Sequence, residues 1–266
     1  MSPPDFYESD RALSEYLLFH YGTAAEVLPW PDGPAAALNY PARCVSECLD
    51  LGRLTVPARA LDLGCAVGRS TFELARHYTE VIGIDFSRRF IETARGLQAH
   101  GSIRYAYVEE GALEIAAVAK VPPDLDRGRV SFEQGDAQAL RPTLGSFDVV
   151  LMANLVDRLP DPRRCLEQAP ALVKPGGQLI LTTPCTWLEV YTPPSKWLGG
   201  FRIEGEAVRT LTTLRGLLEP HFELSRTRDL PFLIREHARK YQWSVAQATT
   251  WIRRPAQPAL WAEPGS

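Results

Sequence analysis

Two acidic residues and two glycines stand at a spacing that suits a ligand carrying a ribose. Residues 61–68 read LDLGCAVG, which predicts a buried strand, a glycine turn and the start of a helix. Gly64 lets a ligand approach the backbone closely, and the start of the helix offers unpaired N–H groups. Asp85 follows Gly68 by 17 residues, at the end of the next predicted strand, where a carboxylate can bind both ribose hydroxyls.

The glycine turn also separates two classes of ligand. A nicotinamide or flavin fold needs GxGxxG, whose backbone cradles a pyrophosphate, whereas this turn reads GxxxG. Asp62, two residues before the first glycine, would repel a pyrophosphate but can accept a hydrogen bond from an ammonium group. The pattern therefore disfavours a nicotinamide oxidoreductase and favours S-adenosylmethionine, a cation that carries an amino acid and a ribose.

Further polar residues follow predicted strands. Gly135-Asp136-Ala137 comes after one strand, and residues 147–154 form another that ends at Asn154. Open α/β sheets bind ligands in the crevice at the carboxyl ends of their strands. Three residues at the end of this fourth strand are therefore candidates to contact a cofactor or a substrate: Asn154, Asp157 and Arg158.

The elements that position these residues alternate between strands and helices. Strands are predicted at residues 59–63, 80–85, 130–134, 147–152, 178–182, 221–226 and 247–253. Helices are predicted at residues 9–22, 42–51, 68–77, 87–101, 165–172 and 210–218. This rhythm predicts βαβ units and a parallel sheet.

Other segments interrupt or flank that rhythm. Residues 1–57 are predicted to form an N-terminal helical cap, with a loop at 27–41, and residues 102–125 to form an inserted β-hairpin. Residues 183–205 are rich in Pro, Gly and aromatic residues, and a loop of that length suggests a functional lid. We expect one domain over residues 1–254 and a disordered tail over 255–266.

Composition excludes several classes of protein. The 266 residues carry a net charge of −3, from 29 basic and 32 acidic residues, which gives no electrostatic footprint for nucleic acid or an anionic membrane. No signal peptide and no membrane span are visible. Five scattered cysteines without a Cys/His cluster indicate reduced thiols, no metal site and a cytoplasmic protein.

In this order and spacing, the motifs resemble those of class I methyltransferases, whose first motif is D/E-x-G-x-G-x-G; Ala66 replaces its middle glycine. The resemblance implies a Rossmann-like α/β fold with a seven-stranded, mostly parallel sheet and an antiparallel last strand. It also implies S-adenosylmethionine as cofactor and S-adenosylhomocysteine as product. The implied cofactor-binding residues are Asp62, Gly64, Cys65, Gly68, Asp85, Phe86, Asp136, Ala137 and Asn154. In this family, the acid at Asp136 binds the adenine amino group and the next backbone N–H binds a ring nitrogen.

A closer resemblance covers residues 5 to 254. The segments that carry it are residues 6–22, 62–75, 152–160, 186–189 and 230–248. They are similar to the methyltransferases that make ovothiol A from 5-thiohistidine (4-mercaptohistidine). In much of that family the unit is fused behind an iron-dependent sulfoxide synthase. Because no such part is in this sequence, we expect a stand-alone form that pairs functionally with a separate sulfoxide synthase.

This resemblance implies that the acceptor is the π nitrogen of the thiohistidine imidazole. A substrate carboxylate suits arginine, and the ring suits aromatic walls. Candidate substrate-binding residues are Phe6, Tyr7, Tyr21, Asn154, Arg158, Trp187, Tyr191, Arg235, His237 and Tyr241. Asp157 and His237 are candidates for a general base. Two alternatives stay open, namely a different small-molecule acceptor and a non-catalytic S-adenosylmethionine-binding partner of a sulfoxide synthase.

Overall fold

The computed structural model describes residues 6–54 and 56–255. Within them the strands are β1 (Arg59–Leu63), β2 (Glu80–Asp85), β3 (Ser102–Glu110), β4 (Leu113–Lys120), β5 (Val130–Gln134), β6 (Phe147–Ala153), β7 (Val173–Thr183), β8 (Phe201–Ile203), β9 (Glu206–Val208), β10 (Phe222–His237) and β11 (Lys240–Arg253). The α-helices are α1 (Asp10–Tyr21), α2 (Ala24–Val27), α3 (Tyr40–Ser46), α4 (Arg69–Leu74), α5 (Arg88–His100), α6 (Pro162–Leu166), α7 (Ala169–Leu172) and α8 (Thr210–Leu218). Apart from Pro255, the predicted tail lies outside the described residues.

Seven strands form the main sheet, in the order β5-β2-β1-β6-β7-β11-β10. Strands β5, β2, β1, β6 and β7 are parallel to one another. Strand β11 runs antiparallel to both β7 and β10. The predicted seven-stranded, mostly parallel sheet with an antiparallel last strand is therefore confirmed.

Strand β1 is buried within the main sheet. Four of its five residues are buried, because helices cover both faces of the sheet. One core contains Phe72 and Phe90, and the other contains Phe147 and Trp251. A parallel strand buried on both faces needs a continuous apolar run. This is why Asp62, the one acid in β1, is an informative exception.

The N-terminal cap contains α1, as predicted. Ser9 is its N-cap, and the side chain of Ser9 accepts a hydrogen bond from the backbone N–H of Ala12. The predicted loop over residues 27–41 and helix over 42–51 are wrong at their boundary. Helix α3 already begins at Tyr40, because Pro41 is tolerated in the first turn of a helix. It ends at Ser46 and not near residue 51.

The inserted hairpin is confirmed, with β3 pairing antiparallel with β4. Other boundaries differ from the prediction. The helix predicted at 165–172 is two short helices, α6 and α7, and Pro170 stands in the first turn of α7. Strand β7 includes the Pro-Gly-Gly segment as a bulge, and its pairing shifts from Val173 to Gln178. The predicted lid loop over residues 183–205 contains the first strand of the small hairpin β8–β9, whose second strand lies beyond it.

The last two strands are much longer than predicted. Strand β10 covers 16 residues and β11 covers 14, and they pair from Phe222 with Arg253 to His237 with Lys240. The part beyond the main sheet packs against α1, α3 and β3. No helix in the described part of the chain is long and apolar enough to cross a membrane.

Candidate active site

A cavity of about 470 Å³ lies at the carboxyl ends of the parallel strands. Its lower wall comes from the ends of β1, β2, β5 and β6, and its upper wall from the N-terminal segment, α1 and the loop after β7. Ligand cavities in proteins measure about 300–1,000 Å³. The position agrees with the crevice in which open α/β sheets bind ligands.

The glycine loop keeps its backbone open to this cavity. Gly64 lines the cavity with φ +81°, a conformation that favours glycine. A Cβ at Gly64 would lie 2.9 Å from Leu155 Cδ1. The N–H groups of Gly64 and Cys65 both donate to the carbonyl of Ile84, at 2.8 and 3.1 Å. These two hydrogen bonds attach the loop to the end of β2.

Asp85 at the end of β2 lines the cavity beside this loop. Its Oδ2 accepts from the N–H of Ala66 at 2.8 Å, and its Oδ1 accepts from the N–H of Ser87 at 2.9 Å. Burial raises the pKa of Asp85 to about 6. Carboxylate oxygens have further lone pairs, so Asp85 can still accept hydrogen bonds from a ligand's hydroxyl groups.

Asp62 is fully buried in β1 and carries an unsatisfied oxygen. Its Oδ2 accepts from Thr71 Oγ1 at 2.7 Å, whereas its Oδ1 has no hydrogen-bond partner among the described residues. Burial raises the pKa of Asp62 to about 6. A buried acceptor without a partner costs free energy. The ammonium group of an amino-acid ligand is the type of donor that would satisfy it.

The adjacent end of β5 provides a third acid. Asp136 and Ala137 line the cavity, and Asp136 Oδ1 accepts from the N–H of Gln138 at 2.8 Å. Phe86 also lines the cavity and is 60% exposed. Acids at the ends of β2 and β5, an exposed ring and an open glycine loop form a wall suited to a nucleoside. The residues present therefore fit S-adenosylmethionine.

The opposite wall is a roof of aromatic rings. Tyr7 and Tyr191 line the cavity with ring centroids 6.2 Å apart, and Tyr16 lies 6.0 Å from Tyr7. Ser87 Oγ donates to the carbonyl of Tyr7 at 3.1 Å, which attaches the N-terminal segment to the ribose-side wall. Burial raises the pKa of Tyr7 and that of Tyr16, the latter to about 12. The phenols of Tyr7 and Tyr16 therefore stay protonated near neutral pH.

Arg158 brings a positive charge to this roof. Its Cζ lies 4.9 Å from the centroid of the Tyr191 ring. Its Nη1 donates to the carbonyls of Asp157 at 3.1 Å and Thr186 at 3.0 Å. Its Nε and Nη2 donate to none of the described residues. Arginine has five N–H donors in a planar fork, so one edge of the guanidinium is left for a ligand.

His20 lines the same cavity from α1. Burial, with the nearby charge of Arg69, lowers the pKa of His20 to about 3. Its Nδ1 has no partner among the described residues. His20 is therefore a neutral imidazole at physiological pH and carries no charge into the cavity.

The structure brings most of the predicted residues together. The predicted residues that line the cavity are Tyr7, Gly64, Asp85, Phe86, Asp136, Ala137, Asn154, Arg158 and Tyr191. Cys65 and Gly68 belong to the glycine loop. Gly68 is fixed there by its φ of +86° and by Phe132, whose Cζ would lie 2.6 Å from an added Cβ.

Three predicted residues lie just behind the cavity wall. Tyr21 donates its hydroxyl to the carbonyl of Val67 at 2.8 Å, and Phe6 packs on Tyr7 at a centroid distance of 5.4 Å. Asp157 is fully buried, and its Oδ2 accepts from the N–H of Thr186 at 3.1 Å. It supports the loop after β7, and burial raises its pKa.

Four other candidates are not among the residues that line the cavity. Trp187 is buried and donates its Nε1 to Thr210 Oγ1 at 3.0 Å. Arg235 is buried in β10 and pairs with Glu109 of β3. His237 and Tyr241 belong to the tip of the β10–β11 hairpin, where Nδ1 of His237 accepts from Arg239 and Tyr241 donates to Ala238. For the last three, the longer strands are the reason, because they carry these residues to the far end of the β10–β11 hairpin.

Sequence reasoning missed several residues of the cavity wall. Besides His20, they are Tyr16, Phe19, Tyr40 and Phe90. Tyr16 and His20 stand four positions apart in α1, so they lie on one face of that helix. A histidine within an otherwise apolar helix face was the available signal.

Comparisons with known proteins agree with this geometry. A family described as a methyltransferase domain matches residues 55–253. A ubiquinone biosynthesis O-methyltransferase of Xanthomonas oryzae pv. oryzae is 31% identical over 155 residues, which are 58% of this chain and 53% of that protein. The corresponding protein of Coxiella burnetii is 28% identical over 123 residues, 46% of this chain and 42% of its own. The chain thus matches only about half the length of these curated relatives.

Two solved structures share the fold. A SAM-dependent methyltransferase from Methanosarcina mazei aligns with 76% of this chain and 95% of its own, at 20% identity and a TM-score of 0.50. A second solved structure concerns the conversion of a disulfide bond into a thioacetal group during echinomycin biosynthesis. It aligns with 76% of this chain and 78% of its own chain, at 18% identity and a TM-score of 0.50. At these identities the likeness concerns the fold alone.

The family match covers about three-quarters of the chain, including the glycine loop and the ends of β2, β5 and β6. It confirms the predicted class of enzyme and the predicted cofactor, S-adenosylmethionine. It does not specify the acceptor. The chain belongs to the methyltransferase domain family.

Proposed function

We propose that this chain transfers the methyl group of S-adenosylmethionine to the π nitrogen of 5-thiohistidine, which gives ovothiol A and S-adenosylhomocysteine. The observation that carries the proposal is the open guanidinium edge of Arg158 beneath the tyrosine roof. It faces the same cavity as the acids at the ends of β2 and β5. The five sequence segments similar to ovothiol-forming methyltransferases support the same acceptor.

The strand-end wall has the groups that the cofactor needs. Asp85 would accept the ribose hydroxyls, Asp136 and the N–H of Ala137 would hold the adenine, and the free oxygen of Asp62 suits the ammonium group. When bound, S-adenosylmethionine supplies an electrophilic methyl group on a sulfonium.

The roof has the groups that an amino-acid acceptor needs. Arg158 would bind the substrate carboxylate with its Nε–Nη2 edge, in the bidentate geometry that arginine favours. The rings of Tyr7 and Tyr191 would enclose the imidazole. Because His20 is uncharged, Arg158 is the cationic side chain among the described residues that line the cavity.

The transfer itself is an in-line displacement. The lone pair of the π nitrogen forms the new N–C bond, the methyl–sulfonium bond breaks with its electron pair left on that sulfur, and the ring N–H proton passes to solvent. Holding two reactants in attack geometry can supply about 7–11 kcal/mol. An imidazole titrates near neutral pH, so the residues act mainly by positioning and do not need a strong base.

The proposed acceptor already contains a carbon–sulfur bond. A separate sulfoxide synthase would supply that acceptor, and the two enzymes would catalyse successive reactions. Asn154, Arg158, Tyr7 and Tyr191 are the residues that we propose for acceptor contact.

A second candidate is methylation of another small acceptor at oxygen. The curated relatives named above are O-methyltransferases, which favours this alternative. An O-linked acceptor would have to lose its hydroxyl proton. The uncharged His20 in the cavity is a hydrogen-bond acceptor that could orient such a hydroxyl.

A methyl-transfer assay tests the proposal. Purified protein is incubated with S-adenosylmethionine and 5-thiohistidine, with histidine in parallel, and products are identified by mass spectrometry and NMR. We expect one methyl group on the π nitrogen of thiohistidine and none on histidine. Cofactor binding without any product from thiohistidine would overturn the acceptor, and a panel of small phenols would then test the O-methylation alternative. Binding without turnover of either class would instead indicate a non-catalytic partner.

A further inference from the structure

The side-chain amide of Asn154 is held in one orientation by its neighbours. Its Oδ1 accepts a hydrogen bond from Tyr40 Oη at 2.7 Å and another from Thr182 Oγ1 at 3.1 Å. The backbone N–H of Asn154 donates to the carbonyl of Thr182 at 2.9 Å. Its φ of +50° lies in the left-handed region, which asparagine tolerates better than most residues. The hydroxyls of Tyr40 and Thr182 also lie 2.6 Å apart and share a hydrogen bond, so the amide oxygen accepts from one or both of them.

The amide nitrogen is the group left for a ligand. Asn154 lines the cavity, and its Nδ2 donates to none of the described residues. Nδ2 is also absent from the buried polar atoms without a partner in the described chain. Asn154 thus presents two N–H donors and no acceptor. The ligand atom that it meets must be a hydrogen-bond acceptor.

This donor lies near the glycine loop. Asn154 follows β6, the strand beside β1. The next residue, Leu155, lies against the glycine loop, 2.9 Å from the position of a Cβ at Gly64. An acceptor molecule held between Asn154 and Arg158 would therefore have its reacting ring close to that loop.

The proposed substrate poses a problem of selectivity at this point. A thiolate is a strong nucleophile, so the sulfur of 5-thiohistidine competes with the π nitrogen for the methyl group. In the imidazole ring, the sulfur-bearing carbon and the π nitrogen are both bonded to the same side-chain-bearing carbon. Fixing the sulfur on one side of that carbon therefore fixes the nitrogen on the other.

We propose that Asn154 is a specificity-determining residue that donates Nδ2–H to the thiolate sulfur, and that Tyr40 is the positioning residue that keeps this donor turned into the cavity. This inference rests on the proposed function. The hydrogen bond occupies a sulfur lone pair and holds the sulfur away from the methyl group. The sulfur keeps its electrons and its bond to carbon, while the π nitrogen forms the new N–C bond as described above.

Three variants test the roles of the two residues. Asn154→Asp keeps an oxygen for Tyr40 and Thr182 but replaces the donor with a charged acceptor. Asn154→Ala removes the donor, and Tyr40→Phe removes a hydroxyl that orients it. Tyr78→Phe is the matched control, because Tyr78 is a buried tyrosine that does not line the cavity. The measurements are the Kd for S-adenosylmethionine, kcat and KM for 5-thiohistidine, and the ratio of N-methyl to S-methyl product.

We expect Asn154→Asp to lower kcat/KM by about 10- to 100-fold, the range for one hydrogen bond to a charged group. Its Kd for S-adenosylmethionine should stay near that of the wild type. Asn154→Ala should raise the S-methyl share of the product, and Tyr40→Phe should do so to a smaller extent. Tyr78→Phe should leave the product ratio unchanged.

Other results would overturn the inference. An unchanged product ratio in Asn154→Ala would show that the donor does not select the nitrogen. Weakened cofactor binding by Asn154→Asp, with a normal product ratio, would assign the donor to the cofactor. If the wild-type protein makes no product, binding of 5-thiohistidine to the protein saturated with S-adenosylhomocysteine separates the cases. If 5-thiohistidine binds the wild type but not Asn154→Asp, only the proposed function is rejected. If it does not bind the wild type, or binds both proteins equally well, the role of Asn154 is rejected as well.

Discussion

Asp62, buried in β1, and Asp85, which lines the cavity at the end of β2, hold their protons more tightly than surface acids do. Burial raises the pKa of both Asp62 and Asp85 to about 6, from 3.8. A raised pKa in the folded state stabilises the fold below the unfolded pKa, and this stabilisation is lost as pH rises through 6. Ionisation of these two acids near neutral pH therefore costs folding free energy.

The first prediction concerns pH. Lowering the pH from 7.5 to 5.5 should stabilise the ligand-free protein relative to Asp85→Asn, because one pKa unit corresponds to about 1.4 kcal/mol. Affinity for S-adenosylmethionine should fall over the same interval, because a protonated Asp85 accepts hydroxyl hydrogen bonds less well. Thermal melts and calorimetric titrations of both proteins at the two pH values measure this. Identical pH dependence in the two proteins would contradict it.

The second prediction concerns the charge of the roof. Arg158→Lys keeps a positive charge but loses the planar fork, so KM for 5-thiohistidine should rise by roughly tenfold or more. The Kd for S-adenosylmethionine should change little. Arg163→Lys is the control, because Arg163 is an exposed residue of α6 that does not line the cavity. Steady-state kinetics with thiohistidine measure the effect, and an unchanged KM would remove Arg158 from the acceptor site.

At the scale of elements, the glycine loop depends on backbone conformation as much as on space. Gly64 and Gly176 have nearly the same φ, +81° and +79°. An added Cβ at Gly64 meets Leu155, whereas one at Gly176 meets nothing within 4 Å. The two positions therefore separate conformational strain from the loss of space at the cavity.

The third prediction uses this pair. Gly176→Ala should cost about 1–2 kcal/mol of stability from strain alone and leave cofactor affinity unchanged. Gly64→Ala should cost at least as much, and it should also weaken S-adenosylmethionine binding by more than about tenfold, equivalent to about 1.4 kcal/mol. Chemical denaturation and calorimetry measure the two effects. Equal cofactor affinity in both variants would show that the loop does not contact the cofactor.

The same scale explains how far the sequence could predict the structure. Strands β1, β2 and β5 match their predicted bounds. Strands β1 and β2 are mostly buried and apolar, whereas the edge strand β5 begins by alternating between buried and exposed residues. The outer parts of β10 and β11 were missed because charged residues such as Arg228 and Asp229, together with Pro231, interrupt any apolar pattern there. Those strands extend past the sheet and pack on helices, which is a contact that local sequence does not encode.

The residues of the site divide in the same way. Asp85, Asp136 and Asn154 stand directly after strands, so local pattern was sufficient to find them. His20 and Tyr40 reach the cavity only because α1 and α3 pack over the strand ends. Their positions depend on tertiary packing, and an aromatic helix face is otherwise indistinguishable from core.

At the scale of the whole molecule, the cavity joins segments that are distant along the chain. Its wall includes Tyr7 near the N-terminus and Ile234 in β10. A ligand that contacts both sides adds its binding free energy to the stability of the fold. The site therefore links the N-terminal cap to the sheet.

The fourth prediction follows from this linkage. S-adenosylhomocysteine at 100 times its Kd should add about 2.7 kcal/mol to the free energy of unfolding, and the melting temperature should rise by roughly 5–10 °C. Asp85→Asn should show a smaller rise at the same ligand concentration. Differential scanning fluorimetry measures both, and an equal rise in the two proteins would contradict the role of Asp85.

The ion pair between Arg11 and Glu236 spans 225 positions of the chain. A ribosome adds about 5–20 residues per second, so α1 leaves it roughly 10–45 s before the strand that covers it. During that interval the apolar side chains Leu17, Leu18 and Phe19 have no β10 to pack against. Nascent chains of this protein therefore present a client surface for chaperones, and heterologous expression should benefit from slower translation or from a co-expressed holdase.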